Sequence, residues 1–275
     1  MISAKEVKRL RDITGVGMME CKKALQEAAG DFEKAIEILR KKGQKVAAKR
    51  AEREAKEGVI VTRVSEDGKV GVMVEVNSET DFVARNEDFR QFAQQIAELI
   101  LKAKPANREE LLALKLEDGR TVEEALLDLT AKIGEKIDIR RFVVMESQDG
   151  RVVAYLHPGD RLGVLVEVVG EGDLEQVGRD VAMQIAAMNP IAVTREEVPQ
   201  EVVDKELEIA REAARNEGKP EHIIDRIAQG RLEKFFRENV LLEQDFVKDS
   251  SLTVEEMLKQ KGVRVVRFVR FALGE

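Results

Sequence analysis

Apolar positions recur along this chain with two periods, and the change from one to the other marks out its architecture. From Ser3 to Gly43 the spacing is helical. Val7, Leu10 and Ile13 line one face behind a Ser3/Glu6 capping box. Met18, Met19, Ala24, Leu25 and Ala28 follow the glycine pair Gly15 and Gly17, and Phe32, Ala35, Ile36 and Leu39 form a third stripe between Gly30-Asp31 and Gly43. Residues 1–43 are therefore expected to form a three-helix bundle ended by Gly43. Met18 and Met19 read first as core or staple positions, and Cys21 as a small buried hydrophobe. Residues 44–57 carry alanines and charges with few apolar anchors, which predicts a solvated, partly helical linker.

From Gly58 the period drops to two. Val59 to Val64, the turn Ser65-Glu66-Asp67-Gly68 and Val70 to Val76 predict a hairpin. Phe89, Phe92, Ala93, Ile96 and Ile100 then mark a helix starting near Asp88. Further helices are expected around Glu109 to Leu114 and from Val122 to Ile133, the latter stopped by Gly134, before a strand from Ile137 to Val144. This gives a first unit over 58–144. The next one, 145–196, repeats it: Arg161-Leu162-Gly163-Val164-Leu165-Val166-Glu167-Val168 echoes Lys69-Val70-Gly71-Val72-Met73-Val74-Glu75-Val76 at an offset of 92. Ala182, Gln184, Ile185 and Ala186 echo Ala93, Gln95, Ile96 and Ala97 at an offset of 89. The turn Gln148-Asp149-Gly150 is read as the partner of Glu66-Asp67-Gly68. The expected fold class is α+β, with two related antiparallel sheets each covered by a helix. Residues 197–240 predict an antiparallel helical hairpin turning at Glu217-Gly218-Lys219-Pro220. Residues 241–275 predict a short helix and a strand, Val263 to Phe271, that rejoins the second unit.

The fall in offset means that the strand-to-helix loop is longer in the first copy. The additional residues lie in Asn77-Ser78-Glu79-Thr80-Asp81-Phe82-Val83-Ala84-Arg85-Asn86, a polar stretch with one aromatic ring. The counterpart Val169-Gly170-Glu171-Gly172-Asp173-Leu174 has none. Since the scaffold closes with the shorter loop, the stretch around Phe82 is a specialisation, and loops are where binding residues concentrate.

Composition narrows the function. The chain has 275 residues, 43% hydrophobic, with 53 acidic against 46 basic side chains and a net charge of -7. That balance argues against general nucleic-acid binding, which relies on neutralising phosphates, and suits a protein that meets other proteins. One cysteine fits a reducing compartment. No apolar run approaches the roughly 18 residues that a membrane span needs, and the N-terminus has neither a signal-peptide core nor a transit-like segment, so a cytoplasmic protein is expected. Enzyme chemistry is not visible. The two histidines, His157 and His222, form no triad or metal set with other residues, and Gly15-Val16-Gly17 lacks the spacing of a phosphate loop. No cofactor or metal is expected.

The bundle is similar to ubiquitin-associated-type domains. More specifically, Thr14-Gly15-Val16-Gly17-Met18-Met19-Glu20-Cys21-Lys22-Lys23-Ala24-Leu25 resembles the N-terminal signature of the elongation factor Ts family, and Thr80-Asp81-Phe82-Val83-Ala84-Arg85 resembles its central motif. Ala131-Lys132-Ile133-Gly134-Glu135, the turn around His157 and Gly218-Lys219-Pro220 fall in the family's order. Arg85-Asn86 departs from it, where a Lys followed by an acidic residue is expected. The resemblance implies a non-enzymatic guanine-nucleotide exchange factor for elongation factor Tu. Thr80, Asp81, Phe82 and Val83 would disturb the partner's magnesium site, Met18, Met19 and Lys22 would contact the partner from the bundle, and Ile133, Gly134 and His157 would join from the core. It also implies no direct nucleic acid, no membrane, and a homodimer within a 2:2 complex as one assembly. The competing reading from the residues is a non-catalytic adaptor that binds through the bundle, with Phe82 purely structural.

Overall fold

A computed structural model describes residues 2–275; Met1, the first residue of the expected bundle, lies outside the described residues. Helices α1 (Ala4–Thr14), α2 (Met18–Glu27) and α3 (Phe32–Arg50) pack around Leu10, Cys21, Ala24, Leu25 and Ala35. The Ser3/Glu6 capping box starts α1, and Asp31 caps α3. Two expectations change here. Gly43 does not end α3, which continues to Arg50, so much of the expected linker is the end of that helix. The reason is contact: a Cβ at Gly43 would collide with the Ala131 side chain on α7 (Val122–Ile133). The glycine serves a close helix crossing rather than a stop. Met18 and Met19 are also not core residues, being 41% and 64% exposed.

Two antiparallel three-stranded sheets form the body, consistent with the α+β class. The first has the order β1 (Glu57–Val64), β2 (Val70–Ser78), β3 (Ile137–Glu146). The second has the order β4 (Arg151–Leu156), β5 (Leu162–Gly170), β8 (Val263–Ala272). Helix α5 (Glu87–Ala103) buries Phe89, Ala93, Ile96 and Ile100 on the first sheet, and α8 (Leu174–Met188) buries Val181, Ala182 and Ile185 on the second. The repeat pairs turns differently from the sequence expectation. Residues 147–150 connect the two sheets, while the turn between β4 and β5 is Pro158-Gly159-Asp160, at the same offset of 92 from Glu66-Asp67-Gly68 as the strands. The Gly in Gln148-Asp149-Gly150 resembled the wrong turn because both are short, polar and glycine-ended.

The two halves match in fine detail. Each central strand has a bulge after its glutamate, at Glu75/Val76 and Glu167/Val168. Glu75 pairs with Arg141 at 2.6 Å and Glu167 with Arg267 at 2.7 Å. The same arginines cross to the other sheet: Arg141 donates to the Ala272 carbonyl at 3.0 Å, and Arg267 to the Glu146 carbonyl at 2.7 Å. Between the sheets lies a separate core of Ile60, Met73, Met145, Val152, Leu165 and Phe271. Gly71 and Gly163 permit this contact. A Cβ on Gly71 would strike Val152, and one on Gly163 would strike Ile60 and Met73. The halves thus face each other across an approximate two-fold axis.

Between α5 and β3 lie α6 (Arg108–Ala113) and α7. After α8, helices α9 (Gln200–Asn216) and α10 (Glu221–Asn239) form the hairpin, closed by a seam of Ala210, Ala214, Ile224, Ala228 and Leu232. Ile209, one of the apolar positions of α9, is exposed; small alanines let the helices approach along a neighbouring stripe instead. A short β6 (Asp245–Phe246), β7 (Asp249–Thr253) hairpin, which the hydrophobic pattern did not indicate, leads into α11 (Val254–Lys261) and β8. Among the described residues no helix is long and apolar enough to cross a membrane.

Candidate functional site

The loop joining β2 to α5 is the most unusual surface of the molecule. Its centre is a single helical turn, α4 (Asp81–Ala84), capped by Thr80, whose hydroxyl accepts from the Val83 amide at 3.5 Å. Val83 and Ala84 turn inward and are buried on the first sheet's core, while Phe82 on the opposite side is 80% exposed. A ring this open, more so than Met19, is not filling the core. Leaving it in water forgoes roughly 2 kcal/mol of burial, a cost the fold has no internal reason to carry. Asp81 pairs with Arg85 one turn on at 2.9 Å, and Asn86 caps α5 through the Phe89 amide at 3.3 Å. The Arg85-Asn86 dipeptide therefore supplies a counter-ion and a helix cap.

The loop is fastened to residues 134–136, which join α7 to β3. Gly134 closes α7 in the left-handed conformation, with φ 82°. Next to it, the Glu135 carboxylate accepts from the Thr80 amide at 3.1 Å and from the Thr80 hydroxyl at 2.9 Å. In the other direction, the Glu79 carboxylate accepts from the Lys136 amide at 2.6 Å, from Arg50 at 2.7 Å and from Arg53 at 3.1 Å. Burial alone would push the Glu79 carboxyl up; the Lys136 amide and the two guanidiniums outweigh it and hold it down at about 2. The Lys136 ammonium donates to the Ala51 carbonyl at 2.6 Å and to that of Arg53 at 3.0 Å, tying the end of α3 to the same junction.

The expected site residues fall into three groups. Thr80, Asp81, Phe82 and Val83 are joined with Ile133 and Gly134 through the Glu135 carboxylate. His157 is exposed at the β4–β5 turn, its ring hydrogen-bonded to the Tyr155 hydroxyl at 3.0 Å. That turn reaches the first half through Asp160, whose carbonyl accepts from the Ile60 amide at 2.7 Å and whose carboxylate pairs with Arg90 on α5. Met18, Met19 and Lys22 lie exposed on α2, with Ile13 nearby in the chain, as a separate surface on the bundle. Sequence reasoning missed Glu79, Glu135, Lys136, Arg50 and Arg53. The signal available was a lone acidic residue flanking each of the two motifs, and the basic run of the supposed linker.

A family model described as elongation factor TS matches residues 79–275, starting at Glu79. The chain is 53% identical to elongation factor Ts of Chloroherpeton thalassium, covering 100% of this chain and 99% of that protein. It is 50% identical to elongation factor Ts of Prosthecochloris aestuarii, with 99% of both chains covered, and 49% identical to that of Clostridium perfringens strain SM101, covering 100% of this chain and 94% of the relative. The chain belongs to the elongation factor Ts family. The match to these relatives extends over the bundle as well as the body.

Proposed function

We propose that this chain is a guanine-nucleotide exchange factor for the GTPase elongation factor Tu in translation, and that Phe82 is the wedge that opens the nucleotide site. The observation that carries the reading is an aromatic ring held out in water on a capped, fastened helical turn, in a chain of the elongation factor Ts family. No group on this chain needs to make or break a covalent bond. The partner's GDP is held by phosphate-loop amides and by Mg²⁺ bridging phosphate oxygens. A ring and a carboxylate, Phe82 and Asp81, inserted beside that site would shift the side chains that support the metal. Breaking one charge-assisted hydrogen bond to the nucleotide costs about 1.5–3 kcal/mol of its binding, and about 1.4 kcal/mol is tenfold in rate. Breaking two or three therefore accelerates GDP release by orders of magnitude.

Coupling is reciprocal: if the bound factor weakens nucleotide, then nucleotide weakens the factor to the same degree. GTP arriving at the emptied site therefore expels the factor. Met18, Met19 and Lys22 supply a second contact from the bundle, Ile133 and Gly134 border the loop, and His157 joins the interface from the separate β4–β5 turn. Stopped-flow release of a fluorescent GDP from elongation factor Tu tests this. Phe82→Ala, the loss of an aromatic anchor worth about 2–3 kcal/mol, is expected to cut the stimulated rate by about two orders of magnitude while leaving the fold intact; stimulation equal to wild type would remove the wedge. Removing residues 1–54 separates exchange from simple adaptor binding: it takes away Arg50 and Arg53 but leaves the Glu79–Lys136 and Glu135–Thr80 bonds, so an exchange factor keeps some stimulation through the loop.

A further inference from the structure

We propose that Glu135 is a positioning residue for Phe82, acting through Thr80, and that Glu79 completes it as a reciprocal latch between the loop and residues 134–136. This rests on the exchange-factor reading and names what aims its wedge.

Helix α4 has four residues, too few to sustain itself. The ring of Phe82 packs on nothing that would orient it, so its direction is the direction of the turn. The turn's own first backbone bonds are long, Ala84 to the Thr80 carbonyl at 3.3 Å and Arg85 to that of Asp81 at 3.2 Å, so its setting rests on Thr80, and the orientation of the Thr80 hydroxyl rests on where its proton goes. The Thr80 hydroxyl has one hydrogen and two lone pairs. With the hydrogen committed to Glu135 at 2.9 Å, a lone pair is left facing the Val83 amide. The Thr80 amide donates to the same carboxylate at 3.1 Å, so both polar groups of the cap residue that can donate are held by one ionised acceptor. Glu79 binds in the opposite sense, from the loop to the Lys136 amide. Neither segment can slide without breaking bonds of both kinds.

The second half shows that the fold does not need this device. At the matching junction the Glu171 amide donates to the Gly262 carbonyl at 3.2 Å, and Gly170 and Gly172 have neighbouring backbone where a Cβ would sit. Backbone alone closes that connection. The Asp173 carboxylate there only caps α8 itself, accepting from the Gln176 amide at 3.0 Å; carboxylates that bridge the loop to the facing junction are found where the loop carries Phe82.

The test uses the whole chain and titrates it against elongation factor Tu loaded with fluorescent GDP, separating the maximal release rate from the half-saturating concentration. Glu135→Ala is expected to lower the maximal rate about tenfold or more, with half-saturation nearly unchanged. Glu135→Gln, which keeps one acceptor oxygen, falls between. In a Phe82→Ala background Glu135→Ala adds nothing. A full maximal rate in Glu135→Ala, or an independent further loss on top of Phe82→Ala, overturns the proposal. Should Glu135→Ala lose its fold, Thr80→Val and Thr80→Ser decide: the serine keeps the proton and the rate, the valine loses both, and equal rates overturn the latch. If the wild-type chain itself fails to release GDP, the exchange reading fails alone. The latch is then read from amide exchange at Val83, which Glu135→Ala must accelerate about tenfold or more; unchanged exchange overturns it.

Discussion

The two halves of the body use the same plan to different ends. Both have a hairpin, a bulge after a buried glutamate, a covering helix and a third strand arriving from far along the chain. They part in two places: between covering helix and third strand, where the first half inserts α6 and α7 and the second the α9–α10 arm, and between central strand and covering helix. In the first half residues 79–86 form a capped turn that displays Phe82; in the second, residues 171–173 pass directly into α8. What the comparison teaches is where specialisation is cheap. Lengthening a surface connection costs little in loop entropy, whereas the strands and their glycine contacts are shared by both sheets and leave no such freedom.

The strongest way to break the comparison is to make the halves alike. Replacing residues 79–86 with the equivalent shorter segment 171–175, which keeps the helix offset of 89, is expected to abolish stimulated GDP release, a loss of several orders of magnitude, while circular dichroism still reports a folded α+β chain. Retained exchange activity would show that the loop is not the working part.

Next in size come the buried ion pairs. Glu75→Ala leaves Arg141, whose side chain is 32% exposed, without its partner, and should destabilise by about 3 kcal/mol. Glu167→Ala should cost clearly less, because Arg267 is 55% exposed and can regain water. Urea unfolding of the two variants compares them directly; equal losses would mean that exposure does not govern the cost.

Smaller still are the facing glycines. Gly71→Val and Gly163→Val each push a side chain into the opposite sheet and should each cost about 1–3 kcal/mol. The approximate two-fold predicts similar values, and a large difference between their thermal midpoints would argue against it.

The most gradual effect is a pH dependence, at most about 1.4 kcal/mol for each pH unit. The Glu79 carboxyl lies at about 2 in the fold, below its usual 4.5, held by the Lys136 amide and by Arg50 and Arg53. Its stabilising contribution is complete above the unfolded value and is lost as pH falls from about 4.5 towards 2. In Glu79→Gln the stability-against-pH curve should be flatter across that window. An unchanged slope would mean that the carboxylate contributes nothing there.

Much of the fold is legible because it is written in periods. The offset of 92 identifies the repeat, and the difference of loop lengths singles out Phe82. What periodicity cannot carry is contact between distant segments. Gly43 looks like a helix stop because a glycine's local preference is visible and its approach to Ala131 is not. Gln148-Asp149-Gly150 matches the wrong turn on composition alone. The site is half legible for the same reason. Phe82 declares itself as an apolar residue in a polar loop, whereas Glu79 and Glu135 are ordinary acidic residues until the fold brings them to Lys136 and Thr80. The exposure of Met18 and Met19 is equally hidden, since a helical stripe does not reveal that a three-helix core closes without its first residues.

The pairing of β8 with β5 has a consequence for how the chain is made. Gly170 leaves the ribosome long before Val263, its partner across the sheet. At about 5–20 residues per second, synthesis of the intervening stretch takes roughly 5–18 s. During that time one edge of β5 is open to any other strand. The residues made in the interval include α9 and α10, a helical hairpin whose contacts are local and form within the segment itself. The arm is thus able to fold before the second sheet is closed, and an arrested chain lacking its last strand should be the form of this protein most prone to aggregate.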